Sequence, residues 1–264
     1  MIVTDMATLI QPEHGHHHGN NKVALVTGAS SGIGEAIAQR LALGGYRVAV
    51  CARRMERLTD LAQKMAAQGA TLTAYSTDLR QESDILHLFE SIRNAWGGVD
   101  VLVNNAGLGH KESLMAGNTE SWREMLEVNV LALCICTREA IQDMQAKDSQ
   151  GHIIHVSSMS GHRVPNGSGM YSATKFAVRS LTEGLRQELR EAGSHIRVSS
   201  ISPGFVETEF AEKYTKSAEM AQKIYSQFPV LQPNDIAEAV WYTLGQPPHV
   251  QIHDILVRPT EQKS

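Results

Sequence analysis

Residues 22–43 read KVALVTGASSGIGEAIAQRLAL: an apolar strand at residues 23–26, a turn with glycines at 28, 32 and 34, and an amphipathic helix at residues 33–43. Gly28 allows a sharp turn, Gly32 leaves room for an approaching pyrophosphate, and Gly34 lets the helix pack closely on the sheet. The N–H groups at the helix N-terminus would then face the anion. The spacing is one residue longer than the common dinucleotide fingerprint. We predict that this turn binds a dinucleotide through Gly28, Ser30, Ser31, Gly32, Ile33 and Gly34.

The rest of the chain continues to alternate strands and helices. Six further strands are predicted at residues 47–51, 72–75, 99–103, 152–156, 196–201 and 252–257. Further helices are predicted at residues 55–67, 85–96, 122–146, 171–192 and 235–244. Continuous apolar strands separated by helices are typical of a parallel sheet that is covered on both faces. The sequence predicts an α/β fold: a single doubly wound, Rossmann-like domain over residues 22–264, with a seven-stranded parallel sheet, helices on both faces and a lid at residues 205–230.

Composition excludes several classes of partner. The chain has 264 residues and a net charge of −4, and it has no long basic run, which argues against nucleic acid or an acidic membrane surface. No apolar run approaches the roughly 20 residues of a membrane helix. Three cysteines, Cys51, Cys134 and Cys136, lie in apolar stretches, as free thiols do in a reducing compartment. We therefore expect a cytoplasmic protein.

Residues 1–21 lack sustained periodicity and contain a histidine-rich tract, EHGHHHG at residues 13–19. Imidazole is a common metal ligand, so a metal site is one interpretation. The other interpretation is an unstructured tail or the remnant of an expression tag. We expect a disordered tail and no metal site.

The end of the second strand predicts which dinucleotide is bound. An NAD site usually has an acidic residue there, which bonds the ribose 2′-hydroxyl. Here the strand runs into Arg53 and Arg54, whose guanidinium groups suit a 2′-phosphate. NADP(H) is therefore the predicted cofactor. In the alternative, Arg54 only pairs with Glu56 or Glu35.

Candidate catalytic groups occur at Ser158, Tyr171 and Lys175. A tyrosine and a lysine four residues apart lie on one face of a helix. A free phenol has a pKa of about 10, and a neighbouring ammonium, together with an oxidised nicotinamide, would lower the pKa of Tyr171. Ser158 follows a predicted strand, and its hydroxyl could bond the same substrate oxygen that Tyr171 protonates.

The chain resembles the short-chain dehydrogenase/reductase family in its standard form, over nearly all of residues 22–258. The resemblance is carried by the glycine turn and by Asp78-Leu79, Asn104-Asn105-Ala106-Gly107, Asn129, Ser158, Tyr171-x-x-x-Lys175 and Pro203-Gly204. It implies that Tyr171 is the general acid/base, that Lys175 assists it and holds the nicotinamide ribose, and that Asn129 supports a water next to Lys175. Further cofactor contacts implied by the family are Asp78, Leu79, Asn105, Ala106, Gly107, Pro203, Gly204, Val206 and Thr208.

The family also implies a homodimer or homotetramer, formed through the helices at residues 122–146 and 171–192. Three stretches, at residues 129–140, 157–163 and 181–191, are similar to an animal branch that reduces ketosteroids and other carbonyls with NADPH. Bacterial NADP-dependent dehydrogenases of 3-hydroxy acids, such as serine and allo-threonine, share much of the pattern.

The lid favours an apolar substrate, since it carries Phe205, Phe210, Tyr214, Met220, Ile224, Tyr225 and Phe228. Leu108, Met159 and Val164 are expected to face it. Arg163, Lys213 and Lys216 could instead bind a substrate carboxylate, and His110 and His162 are expected to be structural. The predicted reaction is hydride transfer between a carbonyl and a secondary alcohol, with a 3-hydroxy acid dehydrogenase or a non-catalytic dinucleotide sensor as alternatives.

Overall fold

The computed structural model describes Gly19, residues 21–147 and residues 151–263. The histidine-rich tail predicted at residues 1–21 therefore lies outside the described residues, apart from Gly19 and Asn21. These described ranges contain seven strands: β1 (Val23–Thr27), β2 (Arg47–Ala52), β3 (Leu72–Ser76), β4 (Val101–Asn104), β5 (His152–Val156), β6 (Arg197–Pro203) and β7 (Asp254–Val257).

The helices that connect the strands follow the predicted order. They are α1 (Gly32–Leu43), α2 (Met55–Ala66), α3 (Glu82–Trp96), α4 (Thr119–Leu126), α5 (Ala132–Ala146), α6 (Gly169–Glu191), α7 (Phe210–Thr215), α8 (Ala218–Tyr225) and α9 (Pro233–Leu244). Within the described ranges, no helix is long and apolar enough to cross a membrane.

All seven strands form one parallel sheet in the order β3-β2-β1-β4-β5-β6-β7. The order reverses direction between β1 and β4, and in doubly wound sheets a ligand crevice opens outside the carboxyl ends of the strands at that point. The predicted fold class is confirmed.

Two hydrophobic clusters cover the two faces of the sheet. One packs α1, α2 and α9 against alternate strand residues such as Ala24 and Val26. The other packs α3, α5 and the end of α6 against the intervening residues, such as Val23 and Leu25. All five residues of β1 are buried, because helices cover this strand from both sides.

Two predicted elements differ from the structure. The single helix expected at residues 122–146 is interrupted by a π-helical turn, Glu127–Leu131, between α4 and α5. The lid, in which no helix was predicted, contains the short helices α7 and α8. Both departures lie next to the ligand crevice, and π turns frequently occur at functional sites.

Candidate active site

One cavity of about 770 Å³ lies at the carboxyl ends of β1 to β6. Ser158, Tyr171 and Lys175 all line it, whereas Asn129 does not. Every residue predicted to contact the cofactor also lines it: Gly28, Ser30, Ser31, Gly32, Ile33, Gly34, Arg53, Arg54, Asp78, Leu79, Asn105, Ala106, Gly107, Tyr171, Lys175, Pro203, Gly204, Val206 and Thr208. Residues spread over 180 positions thus share one cavity, since the parallel strands all end at the same edge.

The glycine turn adopts a conformation that requires glycine. Gly28 and Gly32 have φ angles of 68° and 60°, in the left-handed region that side chains disfavour. A Cβ on Gly34 would lie 2.4 Å from Asn105 Nδ2 and 2.5 Å from the Gly28 carbonyl oxygen. The N–H groups of Gly28 and Ala29 donate to the Cys51 carbonyl oxygen, at 2.9 and 3.4 Å, so an anionic group would be met by the N–H groups at the start of α1.

The segment after β4 braces this turn from the other side. Asn105 Nδ2 donates to the carbonyl oxygens of Thr27, at 2.9 Å, and Gly28, at 3.3 Å. The backbone N–H groups of Asn105 and Ala106 both donate to Thr27 Oγ1 at 3.0 Å. The amide of Asn105 thus shapes the site by fixing the turn.

The two arginines after β2 have different surroundings. Arg54 donates from Nε and Nη2 to Ser30 Oγ, at 3.2 and 3.0 Å, and from Nη2 to Ser31 Oγ at 2.8 Å. Its Nη1 donates to Glu209 Oε2 at 2.9 Å. The alternative prediction, in which Arg54 pairs with Glu56 or Glu35, is therefore wrong. The Arg53 side chain is 60% exposed, and its Nη1 lies 4.0 Å from a Glu124 carboxylate oxygen. Arg53 therefore keeps more of its hydrogen-bonding capacity.

Asp78, which the family resemblance implies as a cofactor contact, forms part of the cavity wall. Its carboxylate accepts hydrogen bonds from Arg80 Nε, at 3.0 and 3.1 Å, and from Arg80 Nη2 at 2.5 Å. The guanidinium lowers the pKa of Asp78 through these bonds. The carboxylate is consequently fixed and charged at neutral pH.

The predicted catalytic groups come from β5 and α6. Ser158 follows β5 and accepts a hydrogen bond from the Ser160 N–H at 3.0 Å, while it also bonds the Tyr171 hydroxyl. Lys175, one helical turn after Tyr171, donates from Nζ to the Val156 carbonyl oxygen at 3.0 Å. Its Nζ is 5.9 Å from the centroid of the Tyr171 ring. The serine, tyrosine and lysine therefore converge on one point of the cavity.

Burial determines the protonation of these groups. It raises the pKa of Tyr171, which the Ser158 hydrogen bond offsets only in part. It lowers the pKa of Lys175 to about 8. The lowering predicted for Tyr171 included an oxidised nicotinamide; among the residues of the chain, desolvation of the phenolate has the largest effect on the pKa, and it raises it. The chain itself therefore holds Tyr171 as a phenol, the form that can donate a proton.

Asn129 lies in the π turn, one layer behind the cavity. Its Oδ1 accepts from the Leu108 N–H at 2.8 Å, and its Nδ2 donates to the Leu108 carbonyl oxygen at 2.8 Å. Nδ2 also donates to Thr174 Oγ1 at 3.0 Å. Asn129 thus joins the loop after β4 to α6, beside Lys175, and the water that the family resemblance implies there stays a prediction.

Comparison with known proteins agrees with this arrangement. The sequence pattern of the family described as short chain dehydrogenase matches residues 22–219. The chain belongs to the short-chain dehydrogenase/reductase family. The resemblance inferred from the motifs is therefore confirmed, and the protein is an oxidoreductase that acts on CH–OH groups.

Two curated relatives and one solved structure illustrate the similarity. Dehydrogenase/reductase SDR family member 11 of Bos taurus is 53% identical over 248 residues, 92% of this chain and 97% of that protein. Farnesol dehydrogenase of Aedes aegypti is 42% identical over 246 residues, 92% of this chain and 97% of that protein. The closed form of a serine dehydrogenase complexed with NADP+ superposes with a TM-score of 0.86 at 35% identity, covering 92% of this chain and 96% of that one.

In this short-chain dehydrogenase/reductase, aromatic lid residues cover Tyr171. The ring of Phe210 lies 5.4 Å from that of Tyr171, and the ring of Tyr214 lies 5.9 Å away, measured between centroids. Phe210 and Tyr214 stack on each other at 5.7 Å. The cavity is also lined by six other apolar residues that were expected in the pocket: Leu108, Met159, Phe205, Met220, Ile224 and Tyr225. Two apolar residues that were expected in the pocket do not line the cavity: Val164 is 61% exposed, and Phe228 packs on Phe205.

The charged residues near the lid have different partners. Lys213 donates to Glu209 at 2.7 Å, and Lys216 lies 3.7 Å from a Glu112 oxygen. Arg163 lines the cavity and donates to the Lys263 carbonyl oxygen at 3.4 Å. Of the three candidates for a substrate carboxylate, Arg163 alone lines the cavity without a carboxylate partner among the described residues.

The two candidate histidines near the cavity mouth also have carboxylate partners. His110 Nε2 lies 2.8 Å from Glu124 Oε2. His162 Nε2 lies 3.1 Å from Ser202 Oγ and 3.1 Å from Asp254 Oδ2. Neither side chain lines the cavity, which agrees with the structural role expected for them.

Several residues that line the cavity were not predicted from the sequence, and two of them bond to other parts of the site. Glu209 lines the cavity and binds Arg54, although 155 residues separate them. Gln262, near the chain end, is buried in the cavity wall, and its Oε1 accepts from the Phe205 N–H at 3.0 Å. Neither residue belongs to a local motif, so no sequence signal connected them to the site.

Proposed function

We propose that this protein is an NADP(H)-dependent reductase and dehydrogenase that interconverts a hydrophobic ketone, ketosteroids included, with the corresponding secondary alcohol. The observation that carries the proposal is the convergence of Ser158, Tyr171 and Lys175 in the cavity that also contains the glycine turn. Proton donors and a dinucleotide cradle in one cavity are what reversible carbonyl reduction requires.

The residues at the nucleotide end fit a phosphorylated dinucleotide. The turn that contains Gly28 and Gly32, both with positive φ angles, leads into α1, whose N-terminal N–H groups would bind a pyrophosphate. Arg53, which is exposed and weakly paired, suits a 2′-phosphate, with Ser30 and Arg54 beside it. No acidic residue lies at positions 51–54, where one would select NAD. When bound, the cofactor supplies the hydride.

The residues of this chain manage the proton and the oxygen of the substrate. Tyr171, held as a phenol by burial, donates its proton to the carbonyl oxygen as that oxygen gains negative charge. The Ser158 hydroxyl stabilises the same oxygen by a second hydrogen bond. Lys175, whose Nζ is oriented by the Val156 carbonyl, carries the positive charge that favours the Tyr171 phenolate formed in this step.

The lid supports a hydrophobic substrate. Phe210 and Tyr214 face Tyr171, so a carbonyl within reach of the Tyr171 hydroxyl would be covered by two aromatic rings. Such rings bind apolar surface well and exclude water from the reacting oxygen. The relative named as a farnesol dehydrogenase supports the same choice, since farnesol is a hydrophobic alcohol.

A 3-hydroxy acid is the second candidate substrate, and Arg163 is the observation that favours it. The guanidinium of this residue lines the cavity, and its Nε is buried without a hydrogen-bond partner among the described residues. A guanidinium binds a carboxylate by paired hydrogen bonds. The similarity to a serine dehydrogenase supports this alternative.

A substrate panel with NADPH and NADP+ tests the proposal. We expect oxidation of NADPH with ketosteroids or other hydrophobic ketones, and little reduction of NADP+ with L-serine or 3-hydroxypropionate. Preference for the hydroxy acids would favour the second candidate instead.

Tyr171→Phe should lower kcat by several orders of magnitude and leave the Kd of NADPH nearly unchanged, because the ring still fills its place. Retained activity in this variant would contradict the assigned role, and wild-type protein that binds NADPH but turns over no substrate would indicate a dinucleotide sensor.

The proposed assembly is a homodimer or homotetramer. Exposed apolar side chains lie on the helical surfaces that the family resemblance assigns to subunit contact: Leu126, Leu131, Phe176 and Leu181. Covering them would remove apolar surface from water. Sedimentation velocity should show a species at least twice the monomer mass, and a monomer at all concentrations would contradict this assembly.

A further inference from the structure

Glu209 binds three cationic side chains at once. Its Oε2 accepts from Arg54 Nη1 at 2.9 Å and from Lys213 Nζ at 2.7 Å. Its Oε1 accepts from Arg57 Nη1 at 2.5 Å. These bonds hold the pKa of Glu209 well below its usual range. The side chain is 35% exposed, so the network lies at the cavity rim, partly screened by solvent.

The network joins two parts of the chain that enclose the nucleotide half of the cavity. Glu209 immediately precedes α7 in the lid, whereas Arg54 and Arg57 lie at the start of α2. Arg54 extends the connection, because its remaining donors bond the hydroxyls of Ser30 and Ser31 in the glycine turn. The Glu209 carboxylate thus links the lid to the start of α2 and, through Arg54, to the glycine turn, the two segments predicted to bind the phosphates.

A contact between the neighbouring residues shows how tightly the lid sits on this turn. A Cβ on Gly32 would lie 2.9 Å from Thr208 Cγ2, so Thr208 packs directly against the glycine backbone. On the other side of Glu209, Phe210 covers Tyr171 at 5.4 Å between ring centroids. Residues 208–210 therefore touch the phosphate end and the catalytic end of the cavity together, and the Glu209 network fixes the segment between them.

We propose that Glu209 is a positioning residue for cofactor exchange: its ion pairs with Arg54 and Arg57 hold residues 208–214 closed over the bound dinucleotide, and release requires that these pairs break. This inference rests on the proposed function, since it assumes that a dinucleotide occupies the cavity. The test also covers the opposite effect, in which the carboxylate competes with a 2′-phosphate for Arg54. The two effects can be told apart. Ion pairs that act as a latch on residues 208–214 slow the release of NADPH and NADH alike, whereas a competing carboxylate weakens the binding of NADPH alone.

The test compares Glu209→Gln with wild-type full-length protein. The dissociation rates of NADPH and NADH are measured by stopped-flow fluorescence, with excess oxidised cofactor as the displacing ligand. We expect release of both reduced cofactors to accelerate roughly five- to tenfold in Glu209→Gln, which corresponds to about 1–1.4 kcal/mol. Added salt should accelerate release from the wild type more than from the variant, because it screens the ion pairs. Glu212→Gln is the matched control: it removes a charge from the exposed face of the same helix and should change neither rate.

Two further measurements separate the latch from a general structural effect. Arg57 does not line the cavity, so Arg57→Gln should reproduce much of the acceleration, and combining it with Glu209→Gln should add little. In cofactor-free protein, hydrogen exchange should become faster at residues 209–225 of Glu209→Gln and stay unchanged in the sheet.

The outcomes distinguish the inference from the proposed function. Unchanged release and unchanged exchange in Glu209→Gln overturn the latch while leaving the reductase assignment intact. Tighter NADPH binding with unaltered NADH binding also overturns it, in favour of the competing carboxylate. Failure of the wild-type protein to bind either dinucleotide overturns both, and it is recognised in the wild type before any variant is compared.

Discussion

Replacing His155 with asparagine should make the fold less sensitive to acid. His155 is buried in β5, and its Nδ1 lies 2.8 Å from Thr182 Oγ1. The Thr182 hydroxyl already donates to the Val178 carbonyl oxygen at 2.7 Å, so Nδ1 must carry the proton of that bond. Thr137 Oγ1, at 3.3 Å, accepts from Asn104 and can therefore donate to Nε2. The surroundings thus fix one neutral tautomer of His155.

The expected magnitude follows from the pKa of the buried ring. Burial, with smaller contributions from Arg186 and Lys175, lowers the pKa of His155 from 6.5 to about 3. As the pH falls below 6.5, the unfolded chain binds a proton at this position and the folded chain does not, so stability is present above 6.5 and is lost towards pH 3. Between pH 7 and pH 5 the loss amounts to about 2 kcal/mol for this one residue.

The assay is urea denaturation at pH 7 and pH 5, at one protein concentration, followed by circular dichroism. Asparagine retains a donor in the position of Nδ1 but does not titrate, so His155→Asn should lose about 2 kcal/mol less free energy of unfolding than the wild type between the two pH values. His152, also buried, contributes equally in both proteins. The matched control is His195→Asn at an exposed position, which should behave like the wild type. Equal losses in wild type and His155→Asn would refute the argument that the ring is held neutral.

Three further predictions concern the site. Arg53→Asp should weaken the binding of NADPH by roughly 10- to 100-fold, because about 1.5–3 kcal/mol of charge-assisted hydrogen bonding is lost, and it should weaken the binding of NADH much less. An equal loss of affinity for both cofactors in binding titrations would contradict the assignment of Arg53 to the 2′-phosphate. Gly34→Ala should lower the free energy of unfolding by about 1–3 kcal/mol in urea denaturation, because the added Cβ would lie 2.5 Å from the Gly28 carbonyl oxygen. Gly184→Ala is the control: a Cβ there would have nothing within 4 Å, so the substitution should stabilise α6 by about 0.5–1 kcal/mol in the same assay. Phe210→Ala should raise KM for hydrophobic ketones about tenfold through lost aromatic contact, and an unchanged KM would show that the ring does not cover the substrate.

Local features of the site were predictable because they depend on neighbours in the sequence. The glycine spacing at 28, 32 and 34 indicated the turn, and both positive φ angles and the close approach of α1 are found there. Tyr171 and Lys175 lie on one helical face because four residues make about one turn. The apolar strands and their intervening helices likewise predicted the parallel sheet, since that pattern suits strands buried on both faces.

The features that were missed depend on burial and on distant contacts. The π turn that carries Asn129 is fixed by bonds to Leu108 and Thr174, and the pattern of residues 122–146 by itself favours a continuous helix. Likewise, a helix-forming tendency of six to eight residues is too weak to predict α7 and α8, which form against the rest of the cavity.

By itself, then, the sequence determined the class of fold and the position of the glycine turn, and it predicted Ser158, Tyr171 and Lys175 as the catalytic groups, because periodicity and short spacings are local properties of the chain. Only the tertiary structure decided that the pKa of Tyr171 is raised, because desolvation depends on which side chains surround the ring. It also decided that Arg54 bonds Glu209 instead of a neighbour in the sequence, because folding brings together two charges 155 residues apart.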